Sequence, residues 1–208
     1  MLIESNDVVL FQGDSITDCG RNREDHFNLG HGYPLMASGM FGAAHPDKNV
    51  TFLNRGVGGD RVKELLTRWD EDCLAIEPTV LSVYIGINDT WRRYDANDPT
   101  SVESYEAGYR KLLDRALAQS NPKLILIEPF VLPHPADRVG WREDLDPKIA
   151  AVRRIARDYG AAYVPLDGLF AQASTKAPCE FWAGDGVHPT PAGHALIAKA
   201  WLEAVGAL

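Results

Sequence analysis

Four short segments of the chain place reactive residue types directly after apolar runs. They are Gly13-Asp14-Ser15, Arg55 to Gly59, Gly86 to Asp89 and Asp185 to His188. Together they supply a hydroxyl, glycine backbone N–H groups, a side-chain amide and a histidine with a nearby carboxylate. These groups are what acyl transfer through a covalent serine intermediate requires.

Ser15, His188 and Asp185 are the candidate nucleophile, base and orienting carboxylate. A serine hydroxyl reacts poorly until a base removes its proton, and a neutral imidazole is suited to that task. Asp185 precedes His188 by three residues, so a turn would bring the carboxylate to Nδ1 and leave Nε2 facing Ser15. Each motif alone also has a structural explanation, since serine and aspartate after a strand often cap a helix.

Gly58 and Asn88 are candidate donors to a developing oxyanion, together with the backbone N–H of Ser15. We expect the Gly58 N–H to approach the reacting group because no Cβ intervenes, and the Asn88 amide to donate through its NH₂. Taken singly, Gly58 is also a typical turn glycine and Asn88 a typical loop-capping amide.

Apolar runs and amphipathic segments alternate along the chain. Continuous apolar runs, typical of strands buried on both faces, are Val8 to Phe11, Val50 to Leu53, Val80 to Ile85, Leu124 to Ile127 and Ala162 to Leu166. Apolar residues at helical spacing lie between them, from Tyr105 to Ala116 and from Ile149 to Tyr159, and Thr190-Pro191 is typical of a helix start. The alternation predicts an α/β fold in which helices cover both faces of a parallel sheet. Ligands bind such sheets beyond the carboxyl ends of the strands. The first three motifs directly follow the first three strands, and the fourth comes after the fifth strand and before the last helix.

The combined motifs resemble those of the SGNH, or GDSL-type, hydrolase family. The matching blocks are GDSITDCGRNR, NRGVGGDRV, YIGINDTW and GDGVHPTPAGH, and they span nearly the whole chain. The resemblance implies a three-layer αβα sandwich with a flavodoxin-like five-stranded parallel sheet of order 2-1-3-4-5. It also implies catalytic roles for Ser15, His188 and Asp185, and an oxyanion hole formed by Ser15, Gly58 and Asn88.

Polar and aromatic residues in the loops point to a carbohydrate ester. The sequences of these blocks are similar to those of intracellular acetylxylan esterases within the family. This resemblance implies removal of acetyl groups from xylo-oligosaccharides. Aromatic faces beside polar groups suit sugar rings better than a long acyl chain. The candidate substrate-binding residues are Asp14, Trp91, Arg92 and Trp182, although both tryptophans could instead pack the loops.

Length and composition favour one globular domain, residues 1–208. The net charge of −8 argues against binding to nucleic acid or to an anionic membrane. Three widely spaced cysteines and the absence of a signal-peptide pattern predict a cytoplasmic protein. We expect a small-molecule ester as the partner, no cofactor, no metal and assembly as a homo-oligomer.

Other functions remain open at this point. A metal-dependent phosphoesterase could use Asp14, Asn88, Asp185, His188 and His194 as ligands. A carbohydrate-binding module would explain Trp91 and Trp182 without catalysis. A lipase or acylhydrolase acting on other esters would use the same four motifs.

Overall fold

A single five-stranded parallel sheet organises the computed structural model, which describes residues 1–208. The strands are β1 (Val8–Gly13), β2 (Thr51–Asn54), β3 (Val80–Tyr84), β4 (Lys123–Ile127) and β5 (Ala162–Val164). Their order across the sheet is β2-β1-β3-β4-β5, and every neighbouring pair is parallel. The predicted strand order and α/β class are therefore confirmed.

Nine α-helices surround the sheet or carry the loops at its edge. They are α1 (Ser15–Asp18), α2 (Tyr33–Ala44), α3 (Val62–Asp72), α4 (Ile87–Asp95), α5 (Val102–Gln119), α6 (Arg142–Tyr159), α7 (Leu166–Ala173), α8 (Cys179–Trp182) and α9 (Pro191–Ala204). The last predicted helix begins as expected, because the Thr190 side chain accepts a hydrogen bond from Gly193 N–H and Pro191 is the first helical residue. None of the helices is both long and apolar enough to cross a membrane.

Two hydrophobic cores, one on each face of the sheet, make three layers. Side chains alternate between the faces along β1: Val9 and Phe11 join one core, and Leu10 joins the other. The first core includes Trp201 of α9, and the second includes Trp69 of α3. Each buried indole N–H has an acceptor, Ser82 Oγ for Trp201 and the Leu112 carbonyl for Trp69, both at 3.0 Å.

The fifth strand is shorter than the sequence predicted. The apolar run extends to Leu166, but β5 ends at Val164 and Leu166 already begins α7. Pro165 lies between them and has no N–H to give to a strand ladder, so the sheet cannot continue through it.

The carboxyl ends of the central strands are level with one another. Gly13 pairs with Tyr84 of β3, and Tyr84 pairs with Ile127 of β4. The chain turns sharply after Gly13, where a Cβ atom would come within 2.4 Å of both Thr17 Oγ1 and the Tyr84 carbonyl oxygen. The edge that carries the four motifs is thus built around a backbone junction with no room for a side chain.

We expect Gly13→Ala to destabilise the protein by several kcal/mol, because a backbone carbonyl cannot move aside cheaply. Gly39→Ala, inside α2, is the matched control: a Cβ there has no neighbour within 4 Å. Removing a helix-interior glycine should stabilise the protein by about 0.5–1 kcal/mol. Urea unfolding of both variants measures the two effects, and equal midpoints would contradict the steric account of Gly13.

Candidate active site

Ser15 is the first residue of α1, directly after the turn that follows β1. Asp14 caps this short helix: its Oδ1 accepts the Ile16 N–H at 3.0 Å. Asp14 is only 1% exposed, and burial raises the pKa of its carboxyl to about 7. The expectation that Asp14 contacts substrate is therefore not supported. Its side chain instead caps α1 and so stabilises the turn that carries Ser15.

Asp185 and His188 belong to one tight turn that the aspartate itself stabilises. Asp185 Oδ1 accepts the N–H groups of Val187 at 3.0 Å and His188 at 2.7 Å. Gly186 makes the turn possible with φ of 80°, and a Cβ there would lie 2.0 Å from the His134 carbonyl oxygen. The three-residue spacing between Asp185 and His188 thus has a local structural cause.

The histidine joins the aspartate to the serine through two hydrogen bonds. His188 Nδ1 lies 2.7 Å from Asp185 Oδ2, and Nε2 lies 2.9 Å from Ser15 Oγ. An ionised carboxylate can only accept, so Nδ1 carries the proton and Nε2 accepts the Ser15 hydroxyl. The His188 side chain is 46% exposed, so a ligand can reach this end of the pair from solvent.

Electrostatic coupling within this pair shifts the pKa of both groups. The hydrogen bond that His188 donates to Asp185, together with the charge of that carboxylate, raises the pKa of His188 above the ordinary value. Burial acts to raise the pKa of Asp185, but hydrogen bonds from the His188 ring and from the turn backbone outweigh it and lower that pKa. Asp185 therefore stays ionised over the whole range in which His188 titrates.

Asn88 lies in the first turn of α4, beyond the end of β3. It is 4% exposed, and its Nδ2 donates to the Asp60 carbonyl oxygen at 3.1 Å. An amide nitrogen carries two hydrogens, so one remains for a ligand. The next residue, Asp89, accepts the Val62 N–H at 3.2 Å, so adjacent side chains of α4 hold the segment that leads into α3.

Gly58 lies close to Ser15, but not for the reason expected from the sequence. A Cβ at Gly58 would meet only Ser15 Cβ, at an ordinary 3.7 Å, so this position does not need glycine for space. The crowded position is Gly56, where a Cβ would lie 2.3 Å from the Asp18 nitrogen. The Gly58 N–H points to Asp18 Oδ2 at 3.3 Å, a long bond that an oxyanion would share or replace.

Of the remaining candidates, the structure brings only Trp91 to the triad. The Trp91 ring centroid lies 5.7 Å from that of His188. Arg92, its neighbour on α4, pairs with Asp95 at 2.7 Å. Trp182 is half-buried against the first core and its carbonyl accepts the Thr190 N–H, so its contacts are those of loop packing.

Sequence reasoning missed Arg138 and Trp141, which complete this wall of the site. Arg138 Nε donates to the Asp185 carbonyl oxygen at 3.3 Å. Its guanidinium lies 4.0 Å from the Trp141 ring centroid and 5.0 Å from that of Trp91. Both residues follow β4, so the rule that ligands bind at carboxyl strand ends would have found them had it been applied to this strand.

The ligands imagined for a phosphoesterase do not converge. Both ring nitrogens of His188 are already engaged by Ser15 and Asp185. His194 Nδ1 accepts the Tyr33 N–H at 3.1 Å, and Nε2 lies 3.4 Å from Cys19 Sγ. Burial lowers the pKa of His194 to about 4, so it is a neutral structural histidine. The positions of these side chains do not favour metal chemistry.

Comparison with known proteins gives a consistent assignment. Residues 11–196 match the model of the GDSL-like lipase/acylhydrolase family. The acetylxylan esterase of Geobacillus stearothermophilus is 34% identical over 213 residues, covering 99% of this chain and 97% of that protein. Its crystal structure superposes with a TM-score of 0.90, at 33% identity and the same coverage. Variants of it with a serine, a histidine or an aspartate changed to alanine are described as catalytic mutants.

A second solved structure is more similar in shape. A Parabacteroides merdae protein described as a GDSL-like lipase superposes with a TM-score of 0.95 at 36% identity. The match covers 100% of this chain and 99% of that one. Both comparisons cover at least 99% of this chain, so each extends over the whole sheet.

The pKa shifts of His188 and His194 lie in opposite directions, so the two imidazoles should titrate at different pH. In an NMR titration, His188 should protonate above the ordinary value of about 6.5, whereas His194 should stay neutral down to about pH 4. Asp185→Asn should lower the pKa of His188, because the carboxylate is the main cause of its rise. A His188 pKa that is ordinary, or unaffected by this substitution, would contradict the assigned coupling.

Proposed function

The chain belongs to the GDSL-like lipase/acylhydrolase family and is a carboxylic ester hydrolase, and we propose that it removes acetyl groups from acetylated xylo-oligosaccharides through an acyl-enzyme on Ser15. The observation that carries the proposal is the pair of hydrogen bonds that joins Ser15, His188 and Asp185. The relative described as an acetylxylan esterase supports the choice of substrate.

Acylation begins when Ser15 Oγ attacks the carbonyl carbon of the acetyl group. His188 Nε2 takes the hydroxyl proton as the C–O bond forms, and the imidazolium is stabilised by ionised Asp185. The carbonyl oxygen becomes an oxyanion as the carbon becomes tetrahedral. Collapse breaks the ester bond, and His188 returns its proton to the departing sugar oxygen.

Deacylation repeats these steps with water in place of Ser15. His188 removes a proton from water, the resulting hydroxide equivalent attacks the acetyl-serine, and the serine leaves with that proton. Acetate is released and the free enzyme is restored. Both halves of the reaction need His188 neutral at the start, so its raised pKa places the acid limb of the rate profile above about pH 6.5.

Three N–H donors are proposed to bind the oxyanion. As the first residue of α1, Ser15 has a backbone N–H without an acceptor inside the helix. Asn88 has one uncommitted amide hydrogen, and the Gly58 N–H becomes available when the long bond to Asp18 is given up. The Ser15 and Asn88 donors are held in place before the reaction and stabilise developing charge without reorganisation, whereas Gly58 exchanges one acceptor for another.

We expect Ser15→Ala to lower kcat on p-nitrophenyl acetate by several orders of magnitude while leaving the urea midpoint almost unchanged. Ser38→Ala is the matched control, because Ser38 is a half-buried serine of α2 whose hydroxyl donates to the Leu35 carbonyl, away from the site. An organophosphate should label Ser15 in the wild type. Wild-type turnover by Ser15→Ala, or labelling elsewhere, would refute the proposed nucleophile.

Sugar binding is proposed to use the exposed side of Trp91. Trp91→Ala should raise KM for acetylated xylo-oligosaccharides about 2- to 10-fold, which corresponds to a contact of about 0.5–1.5 kcal/mol. KM for p-nitrophenyl acetate, which lacks the sugar, should change little. Tyr94→Ala is the control, because Tyr94 also packs on Trp141 but makes no contact with the His188 ring. Release of acetyl groups from the oligosaccharides is measured by mass spectrometry.

Two other results would change the substrate assignment. Preference for acetate without release of acetyl groups from xylo-oligosaccharides would leave an acetyl esterase with another natural substrate. Faster turnover of octanoate than of acetate esters would favour the lipase alternative, because a small acyl pocket excludes long chains by steric clash.

Assembly as a homo-oligomer, a cytoplasmic location and a single domain over residues 1–208 stay predictions. Light scattering after size-exclusion chromatography measures the assembly. One cooperative unfolding transition, coincident by fluorescence and circular dichroism, is the result expected for a single domain.

A further inference from the structure

Arg68, on α3, donates hydrogen bonds to the end of β1 and to the loop after β2, the segments that carry or contact the proposed oxyanion donors. Its side chain is 17% exposed, and nothing in the chemistry described so far uses it. We infer that Arg68 is a positioning residue, which sets the geometry of the oxyanion hole for the esterase reaction. This inference rests on the proposed function, and the experiment below separates the two.

The guanidinium donates to two main-chain carbonyls at the sheet edge. Nη2 lies 3.2 Å from the Gly13 oxygen, and Nη1 lies 2.7 Å from the Arg55 oxygen. The Gly13 oxygen also accepts the Val57 N–H at 3.0 Å. Arg68 therefore connects the end of β1 to the loop after β2. The acceptor on β1 is the Gly13 carbonyl, two residues before Ser15.

A second group of bonds connects Arg68 to the asparagine donor. Nε donates to Asp60 Oδ2 at 2.7 Å, and the Asp60 carbonyl accepts the Asn88 amide at 3.1 Å. Gly58 lies two residues before Asp60, in the same loop. One side chain thus reaches all three donors: Ser15 through Gly13, Gly58 through the loop, and Asn88 through Asp60.

Two more acceptors fix the guanidinium itself. Nη1 also lies 3.1 Å from Gln12 Oε1 and 2.8 Å from Asp72 Oδ2. Gln12 is fully buried, and its own Nε2 donates to the Asp72 carbonyl. Nη1 carries two hydrogens, so its three acceptors share them, while Nε and Nη2 serve Asp60 and Gly13. The planar guanidinium presents these donors in fixed directions, whereas the ammonium of lysine is a point charge with three donors. Charge alone should not replace the arginine.

A positioning role predicts a loss of rate rather than of substrate binding. We expect Arg68→Met to lower kcat on p-nitrophenyl acetate about 10- to 100-fold with KM within about twofold, because small displacements of oxyanion donors are costly. Arg68→Lys keeps the charge beside Asp60 and Asp72, and should show a kcat loss of the same order. The lysine variant carries the test if the methionine variant does not fold.

Arg110→Met is the matched control. Arg110, on α5, also bridges two carboxylates, Glu106 and Asp158, at 2.8 and 2.7 Å, but it contacts no segment of the site. All variants are assayed where urea unfolding shows them to be folded. A kcat loss for Arg68→Met and Arg68→Lys no larger than that of Arg110→Met would overturn the inference.

A double-mutant cycle with Asn88→Ala distinguishes positioning from general stability. If Arg68 acts through the donors, its removal should cost at least about threefold less in kcat when Asn88 is already gone. Equal losses in the two backgrounds would overturn the inference. Failure of the proposed function looks different, because the wild type would then show no turnover that Ser15→Ala removes.

Discussion

The junction at the carboxyl end of β1 is the constraint on which the site depends. The backbone of Gly13 passes so close to Tyr84 and Thr17 that no side chain fits, and this fixes where the following serine lies. The Gly13 carbonyl also accepts a hydrogen bond from the Val57 N–H, so the loop after β2 is anchored to the turn that carries Ser15. The close packing of the backbone at Gly13 therefore also positions the Ser15 hydroxyl.

Several buried carboxylates beneath the site hold neighbouring segments in place. Asp14 caps α1, Asp89 caps α3 and Asp60 holds Arg68. Burial raises the pKa of Asp14 and of Asp89 to about 7, so their ionised forms are disfavoured inside the protein. Such groups cost folding free energy, and proteins retain them where they fix a geometry that apolar packing leaves loose.

The sequence allowed accurate prediction of the features set by local chemistry and by sheet edges. Apolar runs located all five strands. Three motifs at strand ends and a fourth just before α9 located the residues that form the Ser15–His188–Asp185 contact. Tertiary context decided the rest. The burial of Asp14 follows from the way α1 packs, and the Arg68 network depends on backbone carbonyls, which leave no trace in residue types. Trp141 and Arg138 could have been predicted from the sequence, because they follow β4, whose carboxyl end lies at the same edge of the sheet as those of β1 and β3.

The hydrogen bond between Ser15 and His188 joins residues 173 positions apart. During synthesis, the serine leaves the ribosome with β1, and the histidine follows only when most of the chain is already outside. The strands that position Ser15 can pair in the meantime, since domains begin to form from the amino-terminal side. A nascent chain, or a fragment truncated before residue 188, therefore lacks the base that activates Ser15, and it also lacks α9 with the Trp201 side chain of the first core. The fold itself delays the reactive pair until the polypeptide is nearly complete.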